Sequence, residues 1–178
     1  MEKINKIKNK LKKYNLDGYL IPKNDEFFSE NVPLSKDNLQ YITNFTGSYG
    51  LALILKKKNF LFVDGRYTLQ AKIESGKNFE ICEIPDKSPK NIFSKKTKKK
   101  IVLGFDPQLF TNFTIQKLFS NHVHLKPIEI NLIDKIHKIK KRRLINKFYN
   151  LNTKITGENI KSKISRLLIK LKKSNIEN

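Results

Sequence analysis

Residues 41–71, YITNFTGSYGLALILKKKNFLFVDGRYTLQA, decide the fold of this chain. Tyr41, Ile42 and Phe45 recur at the spacing of one helix face, and Thr46-Gly47-Ser48 breaks it, because glycine and serine favour turns. Leu51-Ala52-Leu53-Ile54-Leu55 is wholly apolar and short, the pattern of a strand buried on both faces. Lys56-Lys57-Lys58-Asn59 is a polar turn, and Phe60-Leu61-Phe62-Val63 is a second buried strand. A connection this short joins antiparallel neighbours. Asp64 ends the second strand and can cap a following helix, because its carboxylate accepts free backbone N–H groups. That helix has Leu69 and Ile73 one turn apart and stops near Gly76.

The same punctuation extends outward. A helix is predicted over 2–14, with Ile4, Ile7 and Leu11 on one stripe. A strand over 18–21 ends at Pro22, and residues 23–35 form a surface loop. Ser35 is placed to cap a helix over 36–45, with Leu39 and Ile42 inward. Further strands are expected at 79–84, 101–105 and 123–128. Helices are expected after Ser88-Pro89, at 111–119 and, as a short closing turn of helix, at 131–136. This alternation predicts an α/β fold: a mixed sheet of five or six strands with helices on both faces, plus a C-terminal helical tail.

Three segments follow: a domain over 1–137, a basic linker over 138–150, and 151–178. The last partly repeats the start of the chain. Lys3-Ile4 corresponds to Lys163-Ile164, Ile7 and Leu11 to Leu167 and Leu171, and Lys12-Lys13 to Lys172-Lys173. It therefore reads as the incomplete start of a second, similar domain. Its helix, about 157–174, carries Ile160, Ile164, Leu167, Leu168 and Leu171, a face it cannot bury alone.

The formal charge is +21 over 178 residues, and the excess is lysine, with arginine only at 66, 142, 143 and 166. Lysines are dispersed rather than interleaved with aromatics, and the densest runs, Lys95–Lys100 and Lys138–Arg143, fall in a loop and a linker. A solvated surface is expected, with nucleic-acid binding that is weak and salt-sensitive. No apolar run approaches the roughly 18 residues of a membrane helix, so no membrane partner is expected. The basic start lacks the apolar core of a secretory signal. A single cysteine, Cys82, excludes an internal disulfide, fits a reducing cytoplasm and suits a buried strand position.

The chain resembles the N-terminal part of Xaa-Pro aminopeptidases, whose N-terminal domains are of the creatinase/prolidase type. The resemblance rests on Asp17-Gly18-Tyr19-Leu20-Ile21-Pro22, Asn24-Asp25-Glu26-Phe27, Tyr41–Ser48, Phe62–Tyr67, Gly104-Phe105-Asp106-Pro107 and Asn131-Leu132-Ile133-Asp134. Tyr49 departs from it, since the family has a small residue there. The resemblance implies a larger enzyme with a separate metallopeptidase domain. That domain holds a pair of divalent metals, manganese or zinc, through Asp, His and Glu ligands, and removes an N-terminal residue preceding proline. None of those ligands has a counterpart here, so no catalytic residue, metal site or cofactor is assigned. The chain is expected to be inactive alone and to serve oligomer assembly and substrate gating. Its expected partners are a second copy or a separately encoded catalytic half, with peptide a substrate only of a complete enzyme. A basic nucleic-acid-binding module and a dimeric scaffold joined through the tail are the alternatives.

Four residues stand out as gating or interface candidates. Asp64 and Arg66 either form a structural cap and ion pair or present an arginine to the substrate entrance or a partner. Asp25 and Glu26, beside Asn24, form an acidic loop that is either solvated or faces a peptide amino terminus. His122 and His124 form an H-x-H on one strand face with no third ligand at hand, so exposure is expected. His137 has no evident partner, and Thr46–Gly50 lacks the lysine and spacing of a phosphate loop.

Overall fold

A computed structural model of the chain describes residues 1–93, 101–119, 123–137 and 149–174. The chain divides into two units, Met1–Lys141 and Arg142–Asn178.

In the first unit the strands are β1 (Gly18–Pro22), β2 (Leu51–Leu55), β3 (Asn59–Asp64), β4 (Glu80–Ile84), β5 (Ile101–Phe105) and β6 (Val123–Pro127). The helices are α1 (Glu2–Lys13), α2 (Asn38–Thr43), α3 (Thr68–Ser75), α4 (Pro89–Ile92) and α5 (Asn112–Lys117). The strands form one sheet in the order β4-β3-β2-β1-β5-β6. β2 pairs antiparallel with both β1 and β3, while β1–β5, β5–β6 and β3–β4 are parallel. Five strands therefore run one way and β2 alone runs the other.

The period of two sorts the central side chains into two cores. Tyr19, Ile21, Ala52, Ile54, Leu61 and Val63 pack with Ile4, Ile7 and Leu11 of α1 and with Leu39 and Ile42 of α2. Their strand neighbours Leu20, Leu51, Leu53, Phe60 and Phe62 face the other way, toward Phe93, Phe110, Ile115 and Phe119. Cys82 is free and lies in this second core, where burial pushes its thiol pKa up. Six strands with helices on both faces match the expected class, and the hairpin around Lys56–Lys58 is present.

Three local expectations are corrected, and α3 shows which way its two spaced apolar residues face. Helix α2 is capped by Asp37, not Ser35, because Pro33 first closes a turn of its own. Its carbonyl accepts from Lys36 N (2.8 Å) and Asp37 N (3.1 Å), which leaves the Asp37 carboxylate to accept from Gln40 N (2.9 Å). Leu69 and Ile73 point outward, at 72% and 77% exposure. The small Ala71 and Ser75 bring α3 close to the sheet instead, and Ser75 Oγ donates to the Thr43 carbonyl at 2.8 Å. Residues 131–136 form turns rather than a helix. Asn131 is committed to Asp106 Oδ2 through its amide nitrogen and to Ile133 N through its oxygen, both at 2.8 Å, so Leu132 and Ile133 drop into the core. His137 does have a partner, since its ring stacks on Tyr41 with centroids 3.5 Å apart. His124 is exposed, while His122 and the runs Lys95–Lys100 and Lys138–Arg143 lie outside the described residues.

In the second unit, Asn152 caps α6 (Thr153–Thr156) by accepting from Lys154 N at 2.9 Å. Gly157 then turns the chain at φ +76°, a backbone region that favours glycine. Asn159 caps α7 (Ile160–Lys173) by accepting from Ser162 N at 2.9 Å, and Glu158 pairs with Arg166 at 2.9 Å.

Candidate functional site

Strand direction decides where the candidate residues meet. Because β1, β3, β4, β5 and β6 run together, their carboxyl ends lie on one edge of the sheet, and β2 begins there too. The loops after β1 and β3 and the turn before β2 therefore share that edge, the usual ligand side of an open α/β sheet. Asp25, Glu26, Asp64 and Arg66 all sit on it. Lys23 N donates to the Gly50 carbonyl at 3.0 Å, and Asn24 Nδ2 donates to the Leu109 carbonyl at 3.2 Å, tying the first loop to its neighbours.

Asp64 closes β3 and caps the short 3-10 turn Gly65–Tyr67. Its Oδ1 accepts from Arg66 N (3.0 Å) and Arg66 Nε (3.1 Å), and its Oδ2 accepts from Arg66 Nη2 (2.8 Å). The pair is a two-pronged fork of the kind arginine and carboxylate form best. The Arg66 side chain is nonetheless 73% exposed, and its guanidinium lies 5.2 Å from the Tyr67 ring centre. The Tyr67 hydroxyl and Ser48 Oγ are 2.7 Å apart, and the Tyr67 ring meets Phe45 edge-on. Glu74 continues the network by accepting from Thr46 N (2.8 Å), Thr46 Oγ1 (2.9 Å) and Gln70 Nε2 (3.0 Å). The sequence placed Ser48 and Tyr67 in matched motifs but assigned neither a role. Glu74 carried no local signal, because its partner Thr46 lies 28 residues away.

The acidic loop divides. Asp25 is buried at 3% exposure and is not a solvated carboxylate. Its Oδ1 accepts from Phe27 N (3.0 Å) and Ser29 N (2.9 Å), so it folds the loop. Those donors, Ser29 first, hold its carboxyl below the usual range against the opposing effect of burial. Glu26 is the more accessible of the two and pairs with Lys36, which lowers its pKa. Among the described residues, no hydrogen bond or ion pair joins Asp64 or Arg66 to Asp25 or Glu26. The tight loop thrusts Phe27 and Phe28 outward, at 79% and 48% exposure, and Tyr49 is also exposed. The edge thus combines a fixed, exposed guanidinium with protruding aromatic rings.

The Arg66 hydrogen bonds hold the Asp64 carboxyl below its ordinary value, outweighing a smaller opposing contribution from burial. A depressed folded-state pKa stabilises the fold above the unfolded value of about 3.9, and that contribution is lost as pH falls through the folded value. Carboxyl-carbon NMR is expected to find Asp64 titrating below ordinary aspartate, with Arg66→Ala moving it upward. Titration at or above the ordinary value in the unmodified chain would remove the pair as a fixed feature.

Among the described residues, no group of three or more His, Cys, Asp or Glu could hold an ion. Among them, too, no helix is long and apolar enough to cross a membrane.

The family model for the creatinase/prolidase N-terminal domain matches residues 3–136. The chain is 29% identical over 165 residues to a probable Xaa-Pro aminopeptidase P of Coprinopsis cinerea, covering 88% of this chain and 26% of that protein. It superposes on the X-prolyl aminopeptidase from Caenorhabditis elegans with a TM-score of 0.75 at 23% identity, covering 98% of this chain and 31% of that one. An Xaa-Pro aminopeptidase structure from Streptococcus thermophilus matches at 25% identity with a TM-score of 0.57, covering 76% of this chain and 95% of that one. The chain spans about a quarter of the length of the curated relatives it matches. With the family's domain covering nearly all of the first unit, the chain belongs to the creatinase/prolidase N-terminal domain family.

Proposed function

We propose that this chain is a non-catalytic N-terminal part of a cytoplasmic Xaa-Pro aminopeptidase-like metallopeptidase, and that it uses the carboxyl edge of its sheet for assembly and substrate gating. The observation that carries this is Arg66: fixed by Asp64 yet 73% exposed, on the same edge as the protruding Phe27, Phe28 and Tyr49. Asp64 engages Nε and Nη2, so Nη1 remains to donate to a carbonyl or carboxylate oxygen of a peptide or partner. Exposed aromatic rings on the same edge as an arginine have the residue types enriched in interface cores. The names of the similar proteins support peptides as the substrate class of the complete enzyme.

Two measurements test this. The purified chain, supplied with manganese and an X-Pro peptide, is expected to release no N-terminal residue, and steady release would overturn the non-catalytic assignment. Sedimentation equilibrium is expected to show self-association that Phe27→Asp and Arg66→Glu abolish. Both positions are exposed, and circular dichroism of each variant checks that the fold is kept. An unchanged mass in both variants would remove the assembly role from this edge.

A further inference from the structure

Phe28 holds a φ of +53°, in the left-handed backbone region. Among the described residues, the other positions of positive φ besides glycine are Asn15 and Asn44, and asparagine tolerates this region because its short polar side chain bonds locally. An aromatic residue enters it rarely, since its Cβ crowds the following carbonyl oxygen. Burial of the ring does not offset that strain, because Phe28 is 48% exposed. The offset comes from the buried Asp25. Its Oδ1 accepts from Phe27 N at 3.0 Å and Ser29 N at 2.9 Å, and its carbonyl accepts from Phe28 N at 3.2 Å. A left-handed residue turns successive N–H groups to one side, into a concavity that suits an anion. Phe28 is thus left-handed because the Asp25 carboxylate takes its donors from the residues on either side of it.

Two effects of the same order oppose each other in this turn. Hydrogen bonds to a charged acceptor close it, and the strain of one left-handed aromatic residue opens it. Glu26 pairs with Lys36 at the far end of the same loop, but a partly exposed ion pair holds weakly. A turn balanced in this way has two accessible states, and the closed one carries Phe27 and Phe28 outward. We propose that residues 25–29 form a strained latch on the carboxyl edge of the sheet, closed by the Asp25 carboxylate and opposed by Phe28, which presents the two rings when closed and gives up that presentation when Phe28 relaxes to the extended region. A peptide or partner subunit that grips the two rings therefore closes the latch. That consequence rests on the reading of this edge as a gate, whereas the latch itself does not.

Amide hydrogen exchange of the full chain, followed by NMR, reads the latch as the protection of the Ser29 amide relative to an unstructured peptide. Asp25→Ala is expected to lower that protection at least about tenfold, because the charged acceptor is lost. Phe28→Gly and Phe28→Asn remove the ring but suit positive φ, and each is expected to raise protection about threefold or more. Phe28→Val also removes the ring but is β-branched, and it is expected to lower protection about threefold. Protection of the β2 and β3 amides in the same spectra checks that each variant keeps its fold, and the exposed Phe28 series decides the matter even where Asp25→Ala unfolds the chain. A fall in protection, or no change, in all three Phe28 variants would make the ring an ordinary packing element and overturn the latch. So would an unprotected Ser29 amide in the unmodified chain. The gate reading fails separately, through an unchanged sedimenting mass of Phe27→Asp and Arg66→Glu, and that result leaves the exchange pattern untouched.

Discussion

Asp37→Ala is expected to destabilise the first unit by about 3–5 kcal/mol, the range for removing one partner of a buried ion pair. Asp37 and Lys23 pair across 14 residues of chain, with side-chain exposures of 3% and 12%. The same carboxylate caps α2 at Gln40 N. Alanine therefore leaves an ammonium short of its counter-ion and a helix start uncapped, the latter alone worth about 1 kcal/mol. Asp37→Asn keeps an acceptor for the cap and loses the charge, so it should fall between alanine and the unmodified chain. Lys23→Met leaves the cap intact and should cost less than Asp37→Ala. In the Asp37→Ala background it should recover part of the loss, a coupling of about 0.5–3 kcal/mol. Urea unfolding followed by circular dichroism measures all four. A cost for Asp37→Ala below about 1 kcal/mol would show that water replaces both contacts and that the pair does not hold this edge.

Phe62→Ala is expected to cost about 3–5 kcal/mol through lost burial and a residual cavity. Phe62 is fully buried in the middle of β3, opposite Leu51 of β2 and Cys82 of β4, with its ring 6.2 Å from that of Phe60. Domains of this size are stable by only about 5–15 kcal/mol, so this single change consumes a large share. The matching control is α3. Leu69→Ala and Ile73→Ala are expected to stay within about 0.5 kcal/mol, because both side chains stand in solvent. If they cost as much as Phe62→Ala, α3 would have to be turned about its axis, with Ala71 and Ser75 outward.

That control marks where local pattern stops being informative. Leu69 and Ile73 have the spacing of an inward stripe, and a helix read alone offers no reason to reject it. The reason lies in Thr43, whose carbonyl receives Ser75 Oγ across 32 residues and fixes the side α3 presents. Asp25 shows the same effect. In a run of Asn, Asp and Glu it reads as solvated, yet the backbone of its own loop wraps it and turns Phe27 outward. Ser35 is a sound cap by residue type, but Pro33 turns the chain first and gives the position to Asp37. At Asp64 and Arg66 the sequence was sufficient for the contact, because cap and fork form within two residues.

The amino-acid sequence by itself determined the strands, the hairpin, the family motifs over the first domain and the Asp64–Arg66 pair. Each is encoded within a few residues, by unbroken apolar runs, turn residues or a side chain beside the backbone it caps. Only the tertiary structure decided that β1 lies between β2 and β5, and so which loops share an edge. Asn24 meets the carbonyl of Leu109 across 85 residues of chain. No local preference encodes such a contact, which exists only once buried strands have paired and their common direction has carried the loops to one side.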